Sequence, residues 1–325
     1  MSAVSPVRVP VDEQTTTRLT RGEKAAERGV AKRSKRRLTS KGATIAALVI
    51  AVLWTTPTLG LFISSFRPAK EVATSGWWTV LANPGFTLDN YAAVLTSGNS
   101  SLSLAGAFIN SIAITLPATV FPLVIAALAA YAFAWIDFPG KNWMFIGVFA
   151  LQVVPLQMAL VPLLSLFSRG FSIGGVEIFA SLNASQSFSQ VWIAHTIFAL
   201  PLAIFLLHNF IAEIPRELIE AARVDGAGHG QIFFRIVLPL TMPAIASFAI
   251  FQFLWVWNDL LIALVFADGP VAPITKALAE LTGKYGQEWH LLTAGAFVSI
   301  VVPLIVFFAL QRFFVRGLLA GSTKG

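Results

Sequence analysis

The sequence contains no cysteine, so disulfides and thiolate metal sites are excluded, while the redox compartment stays open. Charge is scarce: Asp, Glu, Lys and Arg make up 12% of the 325 residues, where soluble proteins carry about 25%. No stretch fits the phosphate-cradling pattern G-x-x-x-x-G-K-[ST], so direct ATP binding by this chain is not expected. His195, His208, His229 and His290 share no helix face, so no metal site and no cofactor are expected. Glu217 and Glu220 are three residues apart, but no nucleophile accompanies them, and they read as a solvated helix face rather than a catalytic pair. A membrane enzyme would need a catalytic constellation that these residues do not form.

What is abundant is apolar surface, at 56% of residues. Uncharged stretches run over 42–66, 90–136, 142–168, 178–212, 236–258 and 289–311, and a spanning helix needs about 20 apolar residues. The expectation is an all-α membrane protein with six transmembrane helices near 43–66, 104–136, 142–167, 190–212, 240–267 and 290–312. The polar run Ser97, Gly98, Asn99, Ser100, Ser101 belongs in water, which delays the second span to Leu104. A basic tail, 1–42, precedes the first apolar run, and five further runs follow it. That run therefore reads as an uncleaved helix rather than a signal peptide.

With the N-terminus in the cytoplasm, 18 of the 23 Lys and Arg fall inside, eleven of them in the tail. The positive-inside rule then places both termini in the cytoplasm. The tail, through Lys32, Arg33, Lys35, Arg36 and Arg37, reads as a disordered segment drawn to anionic lipid headgroups rather than to nucleic acid. Two outer segments follow from this orientation. Residues 67–103 carry Trp77 and Trp78 ahead of a turn at Pro84 and Gly85, and residues 268–290 hold a helix-like run from Ile274 to Leu281 and read as a connector.

The segment between the fourth and fifth spans, 213–239, reads EIPRELIEAARVDGAGHGQIFFRIVLP. It predicts two short helices joined at a glycine. Pro215 suits a first helical turn. Ile214, Leu218, Ala221 and Ala222 recur at helical intervals as an apolar face, with Arg216, Glu217, Glu220 and Arg223 mostly opposite. Gly226 follows Asp225 where a left-handed residue would end the helix. A second amphipathic turn through Ile232, Phe233 and Ile236 leads to Pro239 and a bend into the fifth span. A short rigid helix shown to the cytoplasm suits a groove in a partner protein.

At these residues the chain resembles the permeases of bacterial ABC importers, whose signature is EAA, three residues, Gly, nine residues, then Ile-x-Leu-Pro. Glu220, Ala221, Ala222, Gly226, Ile236, Leu238 and Pro239 match it without a gap. The resemblance implies a six-helix permease bundle in the bacterial cytoplasmic (inner) membrane, with a two-helix coupling loop that docks on a separate ATPase dimer. Glu217, Glu220, Ala221, Ala222, Asp225, Gly226, Ile236, Leu238 and Pro239 would carry that coupling. It also implies a second, homologous permease subunit and an extracytoplasmic sugar-binding protein. Over 38–325 the likeness is closest to the carbohydrate branch, the maltose-type and alpha-glucoside permeases. There it rests on the stretches AYAFAWIDFPGK (130–141), FLWVWNDLLIAL (253–264) and FVRGLLAGSTKG (314–325). The expected cargo is an alpha-glucoside di- or oligosaccharide, with polyols or glycerol-phosphate-like compounds as the alternative. The expected rest of the chain is a cytoplasmic tail, 313–325.

Four residues are candidates for the substrate path. Gln152 and Gln157 flank Pro155 in the third span, where unwound backbone would line a cavity; interhelical packing is the other reading. Asn258 and Asp259 offer donors and acceptors for sugar hydroxyls, or Asp259 caps a broken helix. Trp255 and Trp257 either stack on sugar rings or face lipid and neighbouring helices. The rival function is an ion-coupled secondary carrier. It calls for ionisable residues in several spans, and only Asp259 stands in one here.

Overall fold

A computed structural model describes residues 41–96, 98–99, 102–182, 187–281 and 288–322. The basic tail to residue 40, part of the polar run at 97–101 and the side chains from 311 onward lie outside the described residues. Backbone contacts divide the chain into two units, 1–59 and 60–325. The described part of the first is helical, with Ile45, Leu48, Val52 and Trp54 exposed along it. It belongs to α1 (Lys41–Ser65), whose last residues fall in the second unit.

Among the described residues five helices are long and apolar enough to cross a membrane: α1, α4 (Leu104–Trp135), α7 (Phe188–Ala212), the run His229–Trp257, and Trp289–Leu310 within α13 (Trp289–Ser322). The expected third span is broken. α5 (Lys141–Ala150) and a 3-10 turn (Leu151–Val153) meet α6 (Leu156–Arg169) at 105°, with Pro155 at the elbow. Counted as one, the pair makes six spans. Val154 is extended at the elbow, the conformation a following proline favours. α6 buries Leu160, Leu163 and Phe167 while Met158 and Val161 stay exposed, so it is apolar on both sides. Past it, β1 (Phe171–Ile173) and β2 (Val176–Phe179) form an antiparallel hairpin.

The second unit is built on α4 against α7. Ala118, Pro122, Ala126 and Ala130 of α4, and Ala199 and Ala203 of α7, are buried at four-residue spacing. Small side chains let helix backbones approach closely, the usual basis of packing in lipid. Exposed Ile, Leu, Val and Phe on the outer faces of these helices suit hydrocarbon rather than water.

Before α4 come two short helices, α2 (Ala69–Thr74) and α3 (Asp89–Thr96), with a 3-10 turn, Trp77–Leu81, between them. The guanidinium of Arg67 is buried here. It donates to the carbonyl of Gly76 at 3.1 Å and to the hydroxyls of Ser75 and Thr79 at 2.7 and 3.0 Å. Gly60 is required where α1 passes Trp77, because a Cβ would come within 2.6 Å of the indole nitrogen.

The fifth span starts earlier than expected. α9 (His229–Ile232) continues through a π-type turn (Phe233–Val237) into α10 (Leu238–Trp257), so Pro239 lies inside one helical run rather than at a bend into it. Proline has no N–H to give to Arg235; the wider turn, with Leu238 N–H on Phe233 C=O, absorbs the change without ending the helix. After α10 the chain breaks at Asn258, forms α11 (Leu261–Phe266) and then α12 (Ile274–Leu281). This segment is more than a connector. Asn110 of α4 donates to the carbonyls of Pro270 and Ala272, and Ser111 accepts from Ile274 N–H at 2.8 Å. Lys276, itself buried, donates to Ala267 C=O and to Asp268.

Candidate functional site

The segment after α7 forms α8 (Arg216–Val224), with Pro215 at its N-cap. Its end is a Schellman motif. Ala227 N–H reaches Ala222 C=O at 2.9 Å, Gly226 N–H reaches Arg223 C=O at 3.0 Å, and Gly226 has φ +82°. Glu217 in the first turn and Arg223 in the last complement the helix dipole. The chain is thus turned back after nine residues and re-enters a helix at His229.

The anchor of α8 is Ile219, buried with Ile214 in a cluster that includes Tyr131, Leu207, Ile232 and Phe233. This corrects the expected apolar face. Of the four expected positions Ile214 is buried and Ala222 half-buried, whereas Leu218 and Ala221 are exposed. The helix carries apolar residues around more than half its circumference, so periodicity alone does not say which side is buried. Its outer surface then displays Leu218 and Ala221 with Val224, which is 88% exposed, among Glu217, Glu220 and Asp225, and Gly226 faces open space. Of the other motif positions, Ile236 and Leu238 are half-buried against the same cluster, and Pro239 is exposed. The signature residues therefore divide between a displayed surface and its inner support.

Three contacts tie this unit to the C-terminal end of α4. Tyr131 Oη lies 2.9 Å from His229 Nδ1, with its ring edge-on to Phe233. Trp135 Nε1 donates to Ile211 C=O at 3.2 Å, and Arg223 Nη2 donates to Trp135 C=O at 3.3 Å. Tyr131 and Trp135 belong to the AYAFAW stretch, to which the sequence assigned no role. Their partners lie about eighty to a hundred positions away, so no local pattern reveals them.

The candidate path residues do not form one site. Gln152 borders an open, largely apolar cavity of about 590 Å³ with Leu202, Phe251, Leu254 and Trp255. Gln157 is exposed on α6 beyond the elbow. Asn258 is exposed and donates to Leu254 C=O at 2.7 Å. Asp259 acts as a cap: its Oδ2 accepts from the N–H groups of Ile262 and Ala263 at 3.0 and 3.2 Å, with the buried His195 Nε2 at 3.8 Å. Trp257 is buried, stacked on Phe253 and edge-on to Phe108, which removes it from any sugar.

The model of the family described as "Binding-protein-dependent transport system inner membrane component" matches residues 91–319, which include α4, α8 and α10. The chain belongs to that family. It is a transport subunit, a multi-pass membrane permease and not an enzyme. The permease is 54% identical to the osmoprotective compounds uptake permease protein GgtD of Synechocystis sp., over 86% of this chain and 91% of the relative. It is 40% identical to the alpha-glucoside transport system permease protein AglG of Rhizobium meliloti, over 86% and 96%. A chain of a bacterial ABC transporter involved in import of the acidic polysaccharide alginate superposes with a TM-score of 0.63 at 15% identity, covering 86% of the permease and 98% of that chain. That likeness speaks to the fold alone.

Proposed function

We propose that this permease imports an alpha-glucoside, driven by a separate ATPase that docks on α8. The observation that carries the reading is the displayed face of α8, where exposed Leu218 and Val224 sit among Glu217, Glu220 and Asp225 on a helix anchored from behind by Ile219. An apolar groove with a basic rim is the complement of that face. The EAA signature supports the same reading. Both termini and α8 lie in the cytoplasm by the distribution of Lys and Arg. The full machine comprises a second permease, two ATPase subunits and an external binding protein.

The cargo assignment draws on AglG, an alpha-glucoside permease, and GgtD, a permease for osmoprotective compounds. An alpha-glucoside that also serves as an osmoprotectant answers both descriptions. Within the bundle, the Gln152 and Trp255 pair gives an amide and an indole on one open cavity, suited to a sugar hydroxyl and a sugar face.

The test is uptake of labelled trehalose and sucrose by the permease assembled with its ATPase and binding protein. Glu220→Lys should abolish ATP-driven uptake while membrane insertion is retained. Uptake that continues without any ATPase and follows a proton gradient would establish the carrier instead.

A further inference from the structure

A proline inside a helix has no N–H, so the carbonyl four residues earlier loses its partner. In hydrocarbon that carbonyl must find another donor. Among the described residues, three such carbonyls receive one from the side chain of a different helix. Pro117 of α4 frees Ala113 C=O, which accepts from Trp192 Nε1 of α7 at 3.0 Å. Pro122 frees Ala118 C=O, which accepts from Gln252 Nε2 of α10 at 3.3 Å. Pro303 of α13 frees Ser299 C=O, which accepts from Trp257 Nε1 at the end of α10 at 3.1 Å.

The donors are built for this purpose. Gln252 is 1% exposed, and its Oε1 has no hydrogen-bond partner. Burying an amide with half its capacity unmet is unfavourable. A leucine of similar size would avoid that, but would leave Ala118 C=O unpaired. Trp192 is held by Phe188, stacked at 6.0 Å, and Trp257 by Phe253, stacked at 6.0 Å, so each indole N–H is aimed rather than free to rotate.

We propose that Trp192, Gln252 and Trp257 are positioning residues, cross-helix pins that hold α4 and α13 at their proline gaps and make those gaps the points where the bundle re-aims during transport. A proline gap is softer than an intact helix, and one donor per gap fixes its resting geometry while leaving a single hydrogen bond to break when the helices move. The pins rest only on geometry, whereas the re-aiming rests on the transport reading above.

The test is a double-mutant cycle in the full-length permease. Gln252→Leu should lower the thermal unfolding midpoint. In a Pro122→Ala background, where residue 122 regains an N–H for Ala118 C=O, the same substitution should cost little or nothing. Trp192→Phe with Pro117→Ala forms a second, independent cycle should the first fail to fold. Costs that simply add in both would overturn the pins.

Uptake of labelled trehalose by the assembled transporter then separates a hinge from a brace. The double variant, stable but with a stiffened α4, should stay at one-tenth of wild-type uptake or less. Recovery of both stability and uptake would show that the gaps do not re-aim. Because the unfolding cycle uses neither ATP nor sugar, an inactive wild-type assembly would count against the proposed function, while the pins would still stand or fall on the unfolding midpoints.

Discussion

The phenol of Tyr131 and the imidazole of His229, 98 residues apart in the sequence, meet at 2.9 Å and join the end of α4 to the start of the helical run that follows α8. The Tyr131 ring also packs edge-on to Phe233, so α4 is tied to that run by a polar contact and by packing.

Tyr131→Phe keeps the ring on Phe233 and removes only the hydrogen bond, worth about 1 kcal/mol. The expected outcome is an assembled transporter that still hydrolyses ATP but moves several-fold less sugar per ATP. Side-by-side uptake and hydrolysis rates check this; an unchanged ratio would show that the contact transmits nothing.

At Gly226 no neighbour blocks a side chain, but φ is +82°. A residue with a Cβ there pays about 1–2 kcal/mol. Gly226→Val should fray the end of α8 and weaken capture of the ATPase, while Gly226→Asn, which tolerates the left-handed region, should retain most of it. Co-purification of ATPase with each variant is the measurement.

Asp259 serves α11 as a cap, so its acceptor atoms matter more than its charge. Asp259→Ala should destabilise the permease by about 1 kcal/mol, and Asp259→Asn by less, with uptake retained. A loss of sugar affinity in Asp259→Asn at unchanged stability would return this residue to the substrate path.

Asp268 lies outside the spans, and the hydrogen bond from Lys276 holds its carboxyl below the ordinary value of 3.8. A depressed carboxylate stabilises the fold fully above its unfolded pKa, and the contribution fades as pH falls below 3.8 through the folded value. The unfolding midpoint of Asp268→Asn should thus lie slightly below wild type at about pH 7 and converge with it only once pH has fallen through the folded pKa. The carboxylate is well exposed, so added salt should shrink the difference.

Much of this was legible in the sequence. Long uncharged runs located the spans because lipid leaves helices few alternatives, and Pro155 between two glutamines marked the elbow of the third. The spacing of Glu220, Ala221, Ala222 and Gly226 located α8 and its left-handed stop. Which side of α8 is buried was not legible, since Leu218, Ile219, Ala221, Ala222 and Val224 form one broad apolar arc and tertiary packing selects Ile219. The start of the fifth helix was misplaced because Pro239 reads as a break unless the π-type turn before it is known. Prolines 117, 122 and 303 are visible as gaps; the residues that fill them are donors from other helices, which no local window contains.

The most direct test uses the absence of cysteine, which lets single thiols be introduced without clearing a background. Val224→Cys on the displayed face of α8 and Val161→Cys on α6 are each treated with a short bifunctional cross-linker in the assembled transporter. A cross-link from position 224 to the ATPase subunit, with none from 161, is the expected result. Capture of the ATPase at 161 and not at 224 would contradict the docking of α8 on which the account rests.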